Sequence, residues 1–279
     1  MMNLGIGIGI PFQRKSGGAA PAPVGLLNTA EGVGAAFAIS LRMLNANLIG
    51  QDAIEVIRVS DSATQRFPLT ATGVDTAAIS SFCGSSDGRV SWMLDQSGNS
   101  RHAAQTALSS APKIYDSTTG IVTENGKPAL QFEGSHFLTT APFASVIPQP
   151  TTHSNVFRLA SEGVQIFYDG DNARNLLSTG SSQWSMFAGN TIRNTDIDTL
   201  QHVISQIFSG ANSEQYIDGS LVLTGDAGSQ GIDKMAIGAT ASGAAAMTGF
   251  YQEHILWPVS KKTVIADINN DIKTHYGIS

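Results

Sequence analysis

An all-β sandwich closed by one C-terminal helix is the fold class this chain predicts, and three observations carry it. Short apolar or alternating runs recur along residues 53–257, each bounded by Gly, Pro, Asp or Asn, which is how strands separated by tight turns read. The last third is punctuated most clearly. Ser213–Asp218, Gly219, Leu221–Gly225, Lys234–Gly238 and Gly249–Pro258 read as strand, Asp-Gly turn, strand, Gly-rich loop and further strands. Then the period changes, with Val264, Ile265, Ile268, Ile272 and Tyr276 spaced along one face of a helix. Ser260 is its predicted N-cap and Gly277 its C-terminal stop.

The first 28 residues differ from the rest. Leu4, Ile6, Ile8 and Ile10 alternate with glycines, Phe12 follows Pro11, and a Gly/Pro/Ala stretch leads to Pro23. The alternation permits a strand, but glycines on its other face stabilise it poorly alone. We therefore expect residues 1–28 to be an anchoring arm and linker, with Leu4, Ile6, Ile8, Ile10 and Phe12 pairing onto a partner subunit. A domain over 29–279 follows.

Within that domain, Phe37, Leu41 and Leu44 have helical spacing and predict a short helix over Ala35–Asn45. Ala53–Val59 and Arg89–Leu94 predict strands. Between them Asp75 is the predicted cap of a short helix over Thr76–Phe82, ended by Gly84. Ala129–Phe132, His136–Thr140, Asn155–Ala160, Val164–Tyr168, Gln183–Phe187 and His202–Phe208 continue the strand series.

Composition narrows the function classes. Net charge is −6, and Lys and Arg never cluster beyond two adjacent residues, which argues against nucleic acid as a partner. Charged residues make up only 14% of the chain at a mean hydropathy of +0.01, so we expect a subunit of a homo-oligomer or larger assembly. No apolar run reaches the ~18 residues a membrane span needs. No charged leader followed by an apolar core opens the chain, so no classical export signal is expected. Cys83, the single cysteine, excludes an intrachain disulfide and reads as a buried thiol.

Candidate chemistry is sparse. Six scattered histidines lack metal-ligand spacing, no Gly-x-Ser-x-Gly elbow or phosphate-binding glycine loop is present, and no cofactor or metal is expected. Asp95 and Asn99 bracket an oxygen-rich turn suited to a metal or a sugar, although an Asx-type turn explains the same residues. Asp169 and Asp171 follow a strand with alternating oxygens but lack the other ligands of a calcium loop. Trp184, flanked by Ser182, Gln183 and Ser185, is the expected exposed ring for stacking on a sugar. Trp92 and Trp257 sit within strands and read as core.

Several blocks resemble known families. The punctuation of the last third resembles the end of laminin-G or concanavalin A-like sandwiches, a jelly-roll architecture. Ser40–Leu44, Ile54–Asp61, Asp75–Ala78, Phe82–Gly84 and Trp92–Asn99, with its Asp-Gln-Ser-Gly-Asn, resemble the start of the family-54 α-L-arabinofuranosidase catalytic domain. Glu124–Phe132 and Phe250–Ile255 resemble phage virion proteins carrying a lectin-like domain, and the Gly-Ile start is similar to phage anchoring arms.

The arabinofuranosidase resemblance implies retaining chemistry, with carboxylates about 5–5.5 Å apart. The loop Gly238–Ala246, where the family's acid lies, holds no carboxylate, and the family's Met-x-x-Glu-Asn-Gly segment has no counterpart. The expectation is therefore a bacteriophage virion structural protein, with no enzymatic activity, located in the virion. It would be anchored to capsid, neck or tail proteins by its arm and display its domain toward host-surface polysaccharide. The alternative is a glycoside hydrolase or depolymerase drawing on carboxylates such as Asp95, Glu162, Asp169 or Glu253.

Overall fold

The computed structural model describes residues 22–180 and 182–279. The arm residues Leu4, Ile6, Ile8, Ile10 and Phe12 lie outside them.

In chain order the main elements are β1 (Phe37–Ser40), β2 (Asp52–Arg58), β3 (Thr64–Thr70), α1 (Thr76–Cys83), β4 (Gly88–Met93), β5 (Lys113–Asp116), β6 (Leu130–Glu133) and β7 (Thr151–Leu159). They continue through β8 (Gln165–Asp169), β9 (Leu176–Gly180), β10 (Gln183–Phe187), β11 (Thr191–Asp196), β12 (Gln201–Phe208), β13 (Ser213–Ile217), β14 (Ser220–Gly225), β15 (Thr248–Trp257) and α2 (Ile265–Tyr276).

Their ladders are antiparallel. One arm of the sheet runs β14–β13–β12–β7–β15, and β15 pairs along its other edge with both β1 and β6. From β6 the ladder continues through β5, β4, β2 and β3. The other arm runs β11–β10–β9–β8, then through the short segments Ala236–Ile237, Leu138–Thr139 and Ala103–Ala104 back to β4. The free edges β11 and β14 come together, with Ile192 packed beside Gly225, so the sheet nearly closes on itself.

The enclosed core contains Phe37, Phe67, Phe132, Phe157, Phe167, Trp184, Phe208 and Tyr251. A second apolar layer lies outside the sheet. Val156, Val203, Ile255 and Trp257 on the outer side of β7, β12 and β15 pack under Ile268, Ile272 and Tyr276 of α2. Those strands are therefore buried on both sides, and β7 reads as Thr-Thr-His-Ser-Asn-Val-Phe-Arg-Leu without a clean alternation. Leu26 and Leu27, inside the segment expected to be arm and linker, join this second layer.

Local signals account for several boundaries. Asp75 accepts the Ala78 N–H at 3.0 Å, as its capping role predicts. Asp218 and Gly219 both take positive φ, 50° and 87°, the backbone a two-residue hairpin turn between right-twisted strands requires. Gly277 ends α2 in the left-handed region at φ 67°.

Two expectations are corrected. The predicted helix over Ala35–Asn45 is strand β1 instead. Phe37 and Ile39 enter the main core while Ala38 meets the α2 layer, and ladder pairing with β15 overrides the helical spacing. Helix α2 begins only at Ile265, so Ser260 lies upstream and does not cap it. Cys83 is buried, and that burial pushes its thiol up to about 11. No helix among the described residues is long and apolar enough to cross a membrane.

Candidate functional site

The Asp95–Asn99 turn is a clamp. Asp95 is buried and accepts N–H bonds from Ala38 at 2.9 Å, Ser97 at 3.0 Å and Arg101 at 2.9 Å. Gln96, also buried, donates from its amide to the Ser40 and Arg42 carbonyls and accepts from the Leu44 N–H at 2.7 Å. Asn99 donates to the carbonyls of Ala35 and Ala36. The block thus straps segment 35–44 to the end of β4, and its polar groups are occupied by backbone.

Glu253 is equally committed. It is fully buried, gripped at 2.7 and 3.0 Å by the Arg42 guanidinium, and accepts further bonds from Ser40 and Tyr276. Burial opposes the Arg42 charge, but the Glu253 carboxylate outweighs it and holds the guanidinium ionised. Arg42 also reaches Asp271 at 2.8 Å, so this cluster ties β15 to α2.

Trp184 is buried, contrary to the exposed position expected for it. Its ring packs 5.6 Å from both Phe157 and Phe167 and 6.3 Å from His202. Strand alternation explains the reversal: Trp184 and Met186 point into the core, and Gln183, Ser185 and Phe187 take the other side, where Ser185 is nonetheless buried.

That outward face is where open chemistry collects. The antiparallel register aligns Ser178 with Ser185 and Ser185 with Arg193, and Leu176 with Phe187 and Phe187 with Thr191. These residues, with Val164, Arg174, Thr179 and Gly180, line a shallow concavity of about 270 Å³. Ser178 and Ser185 share a hydrogen bond at 2.7 Å. Gly180 lies directly beside Arg193. A Cβ there would meet the guanidinium carbon at 3.1 Å, so the missing side chain is what admits the arginine.

Arg174 enters from the loop between β8 and β9. Asp169, buried, takes it as a fork at 2.8 and 2.6 Å from beneath, and the guanidinium lies 5.5 Å from the Phe187 ring centroid. Burial pushes the Asp169 carboxyl up while the Arg174 bonds pull it back, and those same bonds raise the Arg174 pKa. Asp233 pins the loop by accepting the N–H groups of Asp171 at 2.9 Å and Asn172 at 3.0 Å. Burial works against the Asp233 charge, but these amides hold its carboxyl below the usual range. Both Asp169 oxygens are thus spent on arginine, and the Asp171 side chain is exposed at the rim. Among the described residues no group of three or more His, Cys, Asp or Glu is placed to hold a metal ion.

A second groove, of about 320 Å³, is lined by Glu124, Arg158, Gln201, His202 and Asp218. Its polar groups satisfy one another. His202 binds Asp218 through Nδ1 at 2.6 Å and Asp198 through Nε2 at 2.8 Å, and Glu124 holds Arg158 at 2.7 Å. Neither imidazole nitrogen is left to move a substrate proton. Burial lowers the His202 pKa, yet hydrogen bonds to the two carboxylates outweigh it and the value is raised.

Sequence reasoning missed the face with Arg174 and Arg193. Leu176–Gly180 and Thr191–Asp196 were not read as strands, although Gly189 and Asn190 mark the turn between β10 and β11.

No protein-family model and no curated protein sequence matches the chain. Solved structures match it. A GH54 α-L-arabinofuranosidase soaked with 4-nitrophenyl α-L-arabinofuranoside aligns over 87% of this chain at TM-score 0.69 and 14% identity. An arabinofuranosidase complexed with arabinofuranosyl-α-1,2-xylobiose aligns over 87% at TM-score 0.66 and 15% identity. The chain spans 63% of the length of those arabinofuranosidase chains. Trypanosoma rangeli sialidase follows at TM-score 0.48 and 12% identity over 66% of this chain, a level that carries no argument.

These matches correct the functional expectation. The fold is shared with glycoside hydrolases, so the assignment as a phage virion structural protein without enzymatic activity is overturned, and the capsid, neck and tail partners expected with it find no support. At 14–15% identity the likeness establishes the fold, and the chemistry has to be argued from the site.

Proposed function

We propose that this chain is carbohydrate-active, a glycoside hydrolase or depolymerase on an arabinofuranosidase-like, lectin-type β-sandwich. One observation carries the reading: on an arabinofuranosidase-like fold, the outer side of β9, β10 and β11 brings Ser178, Thr191, Arg174, Arg193 and the Phe187 ring to one concavity. Serine and threonine hydroxyls suit sugar hydroxyls, and the Phe187 ring suits a sugar's C–H surface.

The loop Gly238–Ala246 supplies no acid, so hydrolysis needs carboxylates from elsewhere. Glu162 and Asp196 are exposed and border the same end of the face. Glu162 is two residues before the lining Val164, and Asp196 pairs with Gln183, itself opposite Gly180. On this reading they act as the general acid and its partner carboxylate.

The test is reducing-end release from a panel of arabinose-bearing and acidic polysaccharides. Wild type releases ends, and Glu162→Gln and Asp196→Asn each lower the rate by about 10²-fold. Absence of both release and binding across the panel overturns the proposal.

A further inference from the structure

We infer that the sugar engaged by the β9–β10–β11 face is anionic, its acidic group received by Arg193 and Arg174. This rests on the carbohydrate reading above and specifies its substrate class.

The concavity is lined only by neutral and cationic residues, on a chain whose net charge is −6. With the Arg174 charge matched by Asp169, Arg193 supplies the uncompensated charge of this lining. The two arginines are held differently. Arg174 is braced from beneath by the Asp169 fork and lies over Phe187, so its position is fixed before any ligand arrives. Arg193 is exposed, lies over the bare backbone of Gly180, and among the described residues makes no ion pair.

Most other arginines among the described residues are neutralised, while Arg101 is taken up by the Ala36 carbonyl at 2.8 Å and the Phe143 ring. Arg42, Arg58, Arg66, Arg89 and Arg158 all have carboxylate partners. A guanidinium left unpartnered on an open face, one strand from a serine pair, is set to receive a planar oxyanion through paired N–H bonds. The carboxylates Asp171, Glu162 and Asp196 are not among the lining residues, which leaves the centre to the cations. A uronate carboxylate or a sugar sulfate shares the required chemistry.

The experiment is calorimetric titration of the full chain with three oligosaccharides of equal length: a uronate oligomer, a sulfated oligomer and a neutral arabino-oligomer. At least one acidic oligomer binds about tenfold or more tighter than the neutral one, and whichever binds identifies the anion. Arg193→Gln removes that preference, bringing the affinity for the acidic oligomers down to that for the neutral one. Arg193→Lys restores it in part, since charge is kept and the fork is lost. Arg174→Gln acts in the same direction, with circular dichroism reporting whether the freed Asp169 disturbs the fold. If the neutral oligomer binds as tightly as both acidic ones, or Arg193→Gln changes nothing, the inference fails and the carbohydrate reading stands. If no oligomer binds, both fail.

Discussion

Strands β7, β12 and β15 carry their outer side beneath helix α2, whereas β9, β10 and β11 leave theirs open to solvent. Both regions belong to one nearly closed sheet, and both bury aromatic side chains on the inner side. Their outer residues differ in kind. Under α2 stand Val156, Val203, Ile255 and Trp257, with Ser154, Ser205 and Asn269 joined in a small hydrogen-bonded chain. On the open side stand Ser178, Ser185, Thr191, Arg193 and Phe187. The covered side is apolar and buried, whereas on the other side Ser185 is buried in its bond to Ser178 and Thr191 and Arg193 are exposed. The proposed recognition face and the helix-covered side thus lie on different parts of the sheet.

Breaking the covered side should unfold the protein. Glu253→Ala leaves the buried Arg42 without its main partner and is expected to cost about 3–5 kcal/mol in denaturant unfolding. Ile272→Ala empties a fully buried site between α2 and the sheet, for about 2–5 kcal/mol. A loss below ~0.5 kcal/mol for either would mean that α2 is not part of the cooperative unit.

The His202 bridge between Asp198 and Asp218 sharpens the comparison with pH. Its pKa is raised in the fold above the ordinary 6.5, so folding takes up a proton near neutrality. The stabilisation is full below pH 6.5 and fades as pH climbs through the raised value. Melting curves should show wild type losing its advantage over His202→Gln across that rise. A constant gap between the two would assign His202 a packing role only.

The smallest stability effect belongs to the open side. Arg193→Gln and Thr191→Ala should each move unfolding by less than ~0.5 kcal/mol, because nothing in the fold leans on them. A larger loss would show that the face is structural, and the comparison would collapse.

How much was legible follows the same division. The motif that carried the resemblance, Asp95-Gln96-Ser97-Gly98-Asn99, is a backbone strap, which is why it marks the fold and says little of chemistry. Trp184 misled because serine neighbours suggest exposure, whereas in a strand they occupy the opposite side. Phe37, Leu41 and Leu44 misled because β1 is buried on both sides without a period of two, while Leu41 and Leu44 lie beyond its end.

The sequence by itself determined the all-β class, the Asp75 cap, the Asp218–Gly219 turn and the Gly277 stop. Each of these rests on the conformational preference of one or two residues, which acts locally. Only the tertiary structure decided which strands lie beneath α2 and which stay open, and with that the meeting of Arg174, Phe187 and Arg193. Those three come from a loop and two strands whose register is set by pairing across the sheet, and no local preference encodes a pairing partner.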